Sequence, residues 1–258
     1  MEKKSIKVSI ITATYNSELT IESCVKSVLE QRYLNVEHII IDGQSEDNTL
    51  NEIRRVNELY SRTDGVVLSE PDNGIYDALN KGLRIATGDI IGFVHSDDFL
   101  SDSHVLSKIV DEFEKDDQLE GVFGDLHYVD KANDLKIIRK WKGREFNSCL
   151  LSYGWMPAHP TLFLRREVYN KYGDFDLSFK ISADYDFILR IFKISSLSAK
   201  YVPMVITKMR LGGASNVSIK NIINKSLEDY RALKMNGFRC PWLILLLKNI
   251  SKVPQFFK

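Results

Sequence analysis

A chain of 258 residues, 44% apolar and 27% charged, has room for one large α/β domain or two small ones and has the composition of a soluble globular protein. Its 35 basic and 35 acidic side chains cancel, which removes a whole-molecule electrostatic case for nucleic acid as a partner. Cys24, Cys149 and Cys240 are odd in number, widely spaced and without metal-ligand spacing, as expected in a reducing compartment.

The start, MEKKSIKVSIITATYN, is basic with only a short apolar run, so it does not read as a secretory signal. No run approaches the roughly 20 apolar residues that span a bilayer, and a cytosolic protein is expected. Val8 to Ile11 reads as a strand, followed by the polar turn Thr12 to Ser17. Ile21, Cys24, Val25, Val28 and Leu29 then fall at helical spacing, with Thr20 as N-cap. The unit repeats. Glu37 to Ile41 is a second strand ending in Asp42 and Gly43, with Leu50, Ile53, Val56 and Tyr60 marking its helix. Val66 to Leu68 is a third, with Ile75, Ala78, Leu79, Gly82 and Leu83 on its helix, and Gly74 suited to a tight helix start. Such alternation implies right-handed crossovers and a parallel sheet covered on both faces.

The fourth unit, GDIIGFVHSDDFL from Gly88 to Leu100, carries the chemistry. Ile90, Ile91, Phe93 and Val94 read as a buried strand, which would place Asp97 and Asp98 at its carboxyl end, where open α/β sheets bind ligands. Adjacent carboxylates repel, and a hard divalent cation, Mg²⁺ or Mn²⁺, shared with substrate phosphates would neutralise them. The plainer alternative is an acidic helix start, since Asp97, Asp98, Asp102 and Ser103 precede the helical pattern Val105, Leu106, Ile109, Val110 and Phe113. The turn after the first strand, ATYNSE, lacks the G-x-G-x-x-G of dinucleotide-binding domains, and no G-x-x-x-x-G-K-[ST] loop follows; NAD chemistry and the common ATPase or GTPase reading both fall away.

VSIITATYNSELTIESCVKSVLEQ, HIIIDGQSEDNT, EPDNGIYDALNKGLRIATGD and HSDD, in this order, resemble the nucleotide-sugar half of glycosyltransferase family 2 in the GT-A fold. The resemblance implies that Ala13 and Tyr15 grip the nucleobase, by backbone contact and ring stacking, and that Asp42 accepts a hydrogen bond from a uracil N–H. It implies that Asp97 touches the ribose or supports the metal and that Asp98 ligates it. His95 stands where an acidic residue is frequent in the family, and it is a ligand, a donor contact or a packed strand residue. Tyr15 as an edge aromatic and Asp42 as a turn former are the structural alternatives.

Beyond Asp98 the pattern turns to mixed strands, Val122 and Phe123, Leu126 to Val129, and Ile137 to Trp141, similar to the acceptor half of that fold. Pro157 and Pro160 exclude a central strand from WMPAHPTLF, where His159 is an acceptor or phosphate contact or a structural histidine. A general base is needed to take the acceptor's proton. In FKISADYDFILRI, Asp184 matches the family's base at a helix start, Ala183 replaces the usual preceding Glu, and Asp186 reads as support or cap. One base without a carboxylate nucleophile implies a single displacement and inversion. KMRLGGAS, from Lys208 to Ser215, resembles the family's flexible loop, with Arg210 either reaching the diphosphate or facing solvent.

The end of the chain is basic: from Lys220 onward eight Lys and Arg face two acids, a net charge of +6. Ile219, Ile222, Ile223, Leu227 and Tyr230 mark a helix, and Trp242, LILLL, Phe256 and Phe257 beside lysines suit a membrane interface, though packing on the body is the alternative. The expected organisation is an α/β GT-A catalytic domain over residues 1–215, with a nucleotide-sugar half at 1–100 and an acceptor half at 101–215, and a helical tail at 216–258. The expected activity is metal-dependent, inverting transfer from a nucleoside diphosphate sugar, most simply a UDP-sugar, to a glycan or lipid-linked acceptor at the inner face of a bacterial membrane. A nucleotidyltransferase would need a Gly- and Arg-rich loop where ATYNSE stands; an inactive sugar-nucleotide-binding scaffold is opposed by Asp97, Asp98 and Asp184.

Overall fold

The computed structural model describes residues 5–60, 65–194, 197–212, 219–252 and 255, with backbone alone at 194, 219 and 220. Positions 213–215, Phe256 and Phe257 lie outside the described residues, as does the Ile219 side chain. Strands β1 (Val8–Thr14), β2 (Val36–Asp42), β3 (Gly65–Ser69) and β4 (Ile90–Phe93) alternate with helices α1 (Ile21–Leu29), α2 (Thr49–Tyr60) and α3 (Ile75–Ile85). They pair in parallel in the order β3-β2-β1-β4. The chain moves outward from β1 to β3 and then returns to the far side of β1, which makes the carboxyl ends of β1 and β4 the topological switch point at which such sheets bind ligands.

β1 and β2 are buried along their whole length, so both faces need apolar cover. Ile11, Ile39 and Ile41 meet Ala78, Leu79 and Leu83 of α3 on one face. Ile10 and Ile40 meet Cys24, Val25 and Val28 of α1 on the other. Each fully buried branched side chain of this kind contributes about 1.5–3 kcal/mol. Thr20 stands at the N-cap of α1 without a side-chain capping bond. Gly74 opens α3 at φ 111°, a conformation that a Cβ would strain.

The second half adds β5 (Asp98–Leu100), α4 (Val105–Lys115), β6 (Gly121–Val129), β7 (Ile137–Trp141), α5 (Cys149–Ser152), β8 (Phe163–Arg165), α6 (Arg166–Tyr172), α7 (Ala183–Ile194), β9 (Ala199–Arg210), α8 (Ile219–Met235) and α9 (Pro241–Ile250). The mixed sheet runs β3-β2-β1-β4-β8-β6-β9-β5, with β7 beside β6. Val122–Phe123 and Leu126–Val129 are thus one strand, β6. Lys208, Met209 and Arg210 are not loop: they close β9, paired with β5 and β6. The proline segment holds a single 3₁₀ turn, His159–Thr161, before β8.

The tail packs on the body through one side. Ala232, Leu233 and Ile244 join the core, and the Lys248 ammonium is buried, 2.8 Å from Asp229 Oδ2 and 3.2 Å from the Tyr185 ring centroid. Lys248 therefore does not flank a membrane segment. Trp242, Leu243, Leu246 and Ile250 form the opposite, exposed stripe of α9.

At the amino ends of the strands Glu37 gathers Lys7, Ser9 and Thr87: Lys7 Nζ, Thr87 N and Thr87 Oγ1 all lie 2.6 Å from its oxygens, and Ser9 Oγ donates as well. Burial alone would raise the Glu37 carboxyl, but these donors outweigh it and hold it at about 2. Because the folded value lies below the ordinary 4.5, the stabilisation is complete above that pH and is lost as pH falls toward 2. Glu37→Gln should cost about 3 kcal/mol at pH 7. In urea unfolding the difference between the two proteins should vanish near the acid end of that window.

Candidate functional site

The carboxyl ends of β1 and β2 form the first wall. Thr14 pairs with Asp42 in register, and Gly43 N donates to Thr14 O at 2.9 Å. The next turns carry two non-glycine residues in the left-handed region, Asn16 at φ 46° and Gln44 at φ 64°. Such residues persist where surroundings over-determine them. Here the two loops are stitched together: Asn16 N donates to Ser45 Oγ at 2.8 Å, Glu46 N to Asn16 Oδ1 at 2.9 Å and Ser17 N to Thr49 Oγ1 at 2.7 Å.

On this frame Ala13 is buried and Tyr15 is 60% exposed. Asp42 is fully buried and accepts from Ser45 N at 3.0 Å, Ser69 Oγ at 2.7 Å and Ser45 Oγ. Three of the four lone-pair positions of this carboxylate are taken, so Asp42 holds the β2 turn and has one acceptor position left on Oδ1. A methyl built on Gly43 would meet Asp72 Oδ2 at 2.6 Å and the Tyr15 ring at 3.4 Å. Glycine at 43 leaves room for the side chains of Tyr15 and Asp72 beside the turn.

The second wall follows β4. His95, Ser96 and Asp97 form a turn and Asp98 opens β5, opposite Met209 of β9. The acidic-helix alternative fails here, because α4 starts only at Val105. Asp98 is fully buried and neither of its oxygens has a hydrogen-bond partner among the described residues. Burial, reinforced by the Asp97 charge, pushes its carboxyl well above the usual range, while Arg210 pulls it down. Arg210 donates to the Asp97 carbonyl at 3.0 Å and stacks over Phe99 at 4.6 Å. Its side chain is only 12% exposed, so Arg210 is a resident counter-charge.

With the Arg210 charge and backbone N–H nearby but no donor at full hydrogen-bond geometry, this buried carboxylate is poorly compensated as an anion. Oxygen-only ligation suits Mg²⁺ or Mn²⁺, which keep several ligand positions for water and substrate phosphate. The described residues hold no cluster of three or more His, Cys, Asp or Glu able to bind a metal. The fit is to a cation held by Asp98, with Asp97 adjacent, and completed by a ligand's own oxygens.

The third wall is the start of α7. Asp184, in its first turn, is half-buried and accepts from the Tyr76 hydroxyl at 3.0 Å. Asp186 is committed elsewhere: Asn236 Nδ2 lies 2.8 Å from its Oδ1 and Arg190 3.3 Å from its Oδ2. Glu228 of α8 accepts the backbone N–H groups of Lys180, Ile181 and Ser182 at 2.8–3.1 Å. His159 is buried, stacked on Phe93 at 5.2 Å, with Nε2 unpartnered. Burial lowers it to about 4 against the opposing pull of Asp184.

The His95 ring, 6.1 Å from that of His159, is lowered by burial and raised by both Asp97 and Asp184. Tyr128 is raised first by burial, then by Asp98 and Asp184. The charges of Asp97 and Asp184 thus both act on His95, and those of Asp98 and Asp184 both act on Tyr128, while Tyr15 and Asp42 belong to the β1–β2 wall.

The profile of Glycosyl transferase family 2 matches residues 9–173. The chain belongs to this family. A PGL/p-HBAD biosynthesis glycosyltransferase of Mycobacterium bovis is 26% identical over 249 residues, which cover 95% of this chain and 91% of the relative. Among solved structures, the mannosyltransferase PcManGT from Pyrobaculum calidifontis, in complex with GDP-Man and Mn²⁺, superposes with a TM-score of 0.69 at 17% identity, over 99% of this chain and 74% of that one. S. aureus TarS 1–349 in complex with UDP-GlcNAc gives 0.66 at 17% identity, over 90% and 65%. The curled mixed sheet of this glycosyltransferase is the GT-A fold.

Sequence reasoning left Tyr76 and Glu228 unassigned. Each contacts the Asp184 turn across a long stretch of chain, 108 residues for Tyr76 and 46–48 for Glu228. Only EPDNGIYD, already conspicuous as a motif, signalled the transferase's Tyr76.

Proposed function

We propose that the chain is a metal-dependent, inverting glycosyltransferase. It moves a sugar from a nucleoside diphosphate sugar, with UDP as the nucleotide, to a hydroxyl of a lipid-linked glycan or polysaccharide in bacterial cell-surface polysaccharide biosynthesis. The observation that supports this best is a buried carboxylate without partners, Asp98, together with a half-buried, hydrogen-bonded one, Asp184, whose charges both act on Tyr128. The UDP-GlcNAc complex of TarS and the GDP-Man and Mn²⁺ complex of PcManGT support a nucleotide-sugar donor and a divalent cation.

In this reading Ala13 and Tyr15 hold the base, the free position on Asp42 Oδ1 receives a uracil N–H, and Asp97 meets the ribose. Asp98 would hold Mg²⁺ or Mn²⁺, which when bound supplies positive charge to the diphosphate as it departs. Asp184 takes the acceptor hydroxyl's proton while that oxygen forms its bond to the anomeric carbon. The bond to the diphosphate oxygen breaks on the opposite face, so configuration inverts; the proton ends on Asp184 and the electron pair on the diphosphate. Residues 1–100 receive the donor and 101–215 the acceptor.

The tail is assigned to the inner face of the membrane. Among the described residues no helix is long and apolar enough to cross a membrane, but α9 exposes Trp242, Leu243, Leu246 and Ile250, with Arg231, Lys234 and Arg239 exposed on or beside α8. That combination suits shallow burial at an anionic surface.

A panel of nucleotide sugars, each with and without Mn²⁺, tests the donor reading by thermal shift. One UDP-sugar should raise Tm in a metal-dependent way; at 100 times its Kd the stabilisation is about 2.7 kcal/mol. No stabilisation by any member would overturn the donor assignment.

A further inference from the structure

We infer that Tyr76 is a positioning residue whose hydroxyl follows the protonation state of Asp184, held in reach by Glu228. The inference rests on Asp184 being the base, as proposed above. The Tyr76 oxygen lies 2.7 Å from the Ile181 carbonyl and 3.0 Å from Asp184 Oδ1. It has a single proton for two acceptors. A charge-assisted bond to a carboxylate is stronger than a bond to a neutral carbonyl, so the proton points at Asp184 while that group is ionised. Once Asp184 has taken the acceptor's proton, the Tyr76 O–H turns to Ile181 O. No proton changes owner at Tyr76 in this cycle, only its direction.

Three features make the device rigid enough to work. Tyr76 packs on Phe175 at 5.6 Å between ring centroids. Asn80, one turn further along α3, pairs with the Phe175 backbone in both directions, Nδ2 to O at 2.9 Å and N to Oδ1 at 3.0 Å. The carboxylate of Glu228 gathers the amides of Lys180, Ile181 and Ser182, which ties the segment carrying the Ile181 carbonyl, just before α7, to α8. Burial and the Asp184 charge raise the Tyr76 phenol well above its ordinary value, so it remains a donor throughout. Asp184 is also faced by His95, His159, Tyr128 and Lys248, all of which feel its charge, and Glu228 acts on Tyr76 from the side of α8.

The test follows the Asp184 carboxyl itself, by NMR titration of the full chain labelled with ¹³C at aspartate Cγ, the resonance being assigned by its loss in Asp184→Asn. Tyr76→Phe keeps the ring and removes the donor. It should raise the Asp184 midpoint by about one pH unit, the size of one hydrogen bond to a charged group. Replacement of Tyr76 by 3-fluorotyrosine keeps the fold's contacts and strengthens the donor, and should lower the midpoint. Glu228→Gln should raise hydrogen exchange at the amides of 180–182 at least tenfold. A midpoint that stays fixed in both Tyr76 variants overturns the inference. If Asp184→Asn retains transfer while the midpoint still moves in both Tyr76 variants, the base assignment falls and the Tyr76 contact stands, so the two failures are separable.

Discussion

Asp184→Asn should abolish transfer and leave donor binding nearly unchanged. General-base catalysis is worth about 10²–10⁴-fold, and an amide has no basicity to replace it, so turnover should fall toward the upper end of that range. The fold should survive. The amide oxygen of the substituted side chain can still accept from Tyr76, and the turn before it remains held by Glu228. Among the described residues the bonds of the stitched loops at 15–18 and 44–49 and of the Asp98 turn draw on side chains other than Asp184, and of the second wall His95 feels its charge. Steady-state release of nucleoside diphosphate gives kcat, and calorimetry with the intact donor gives Kd. A large loss of donor affinity with only a modest fall in kcat would move Asp184 from the acceptor side to the donor side.

Asp98→Ala should do the reverse. Its carboxyl is buried, has no hydrogen-bond partner and sits beside Asp97, so without a cation it burdens the fold. An unsatisfied buried polar group costs about 1–3 kcal/mol. The variant's melting temperature in chelator should therefore be equal to or above that of the parent. Its metal-dependent gain on adding donor should disappear, a loss of about 2.7 kcal/mol for a donor at 100 times Kd. A purely structural Asp98 would give the opposite pair of results, a lower melting temperature in chelator and an unchanged response to donor and Mn²⁺.

The first half of the fold was legible because its strands are rich in Val and Ile and its helices, α1 and α3 above all, carry apolar stripes. Asp97 and Asp98 drew notice because an apolar run stops abruptly before them, whereas Asp184 precedes the apolar face of α7 and was singled out only by the family resemblance. β5 and β8, three residues each, are too short to show any period. β9 hid behind Pro203 and the paired glycines after Leu211, and so Arg210 looked like part of a loop. Its contact with the Asp97 carbonyl spans 113 residues, a distance at which no local pattern speaks. Lys248 misled for another reason. A lysine after LILLL reads as an interfacial charge, and only the fold brings Asp229 and Tyr185 around it.

The interlocked turns that carry Asn16 and Gln44 have a bearing on how a ligand arrives. Their unusual backbone angles are already fixed by bonds between the two segments, so a planar ring bound beside Tyr15, as proposed above, would have little chain to immobilise there. The ordering cost of that wall falls at folding and not at each catalytic cycle. On that proposal, discrimination between one heterocycle and another would rest on shape and on the few acceptors already in place, more like a socket than a hand.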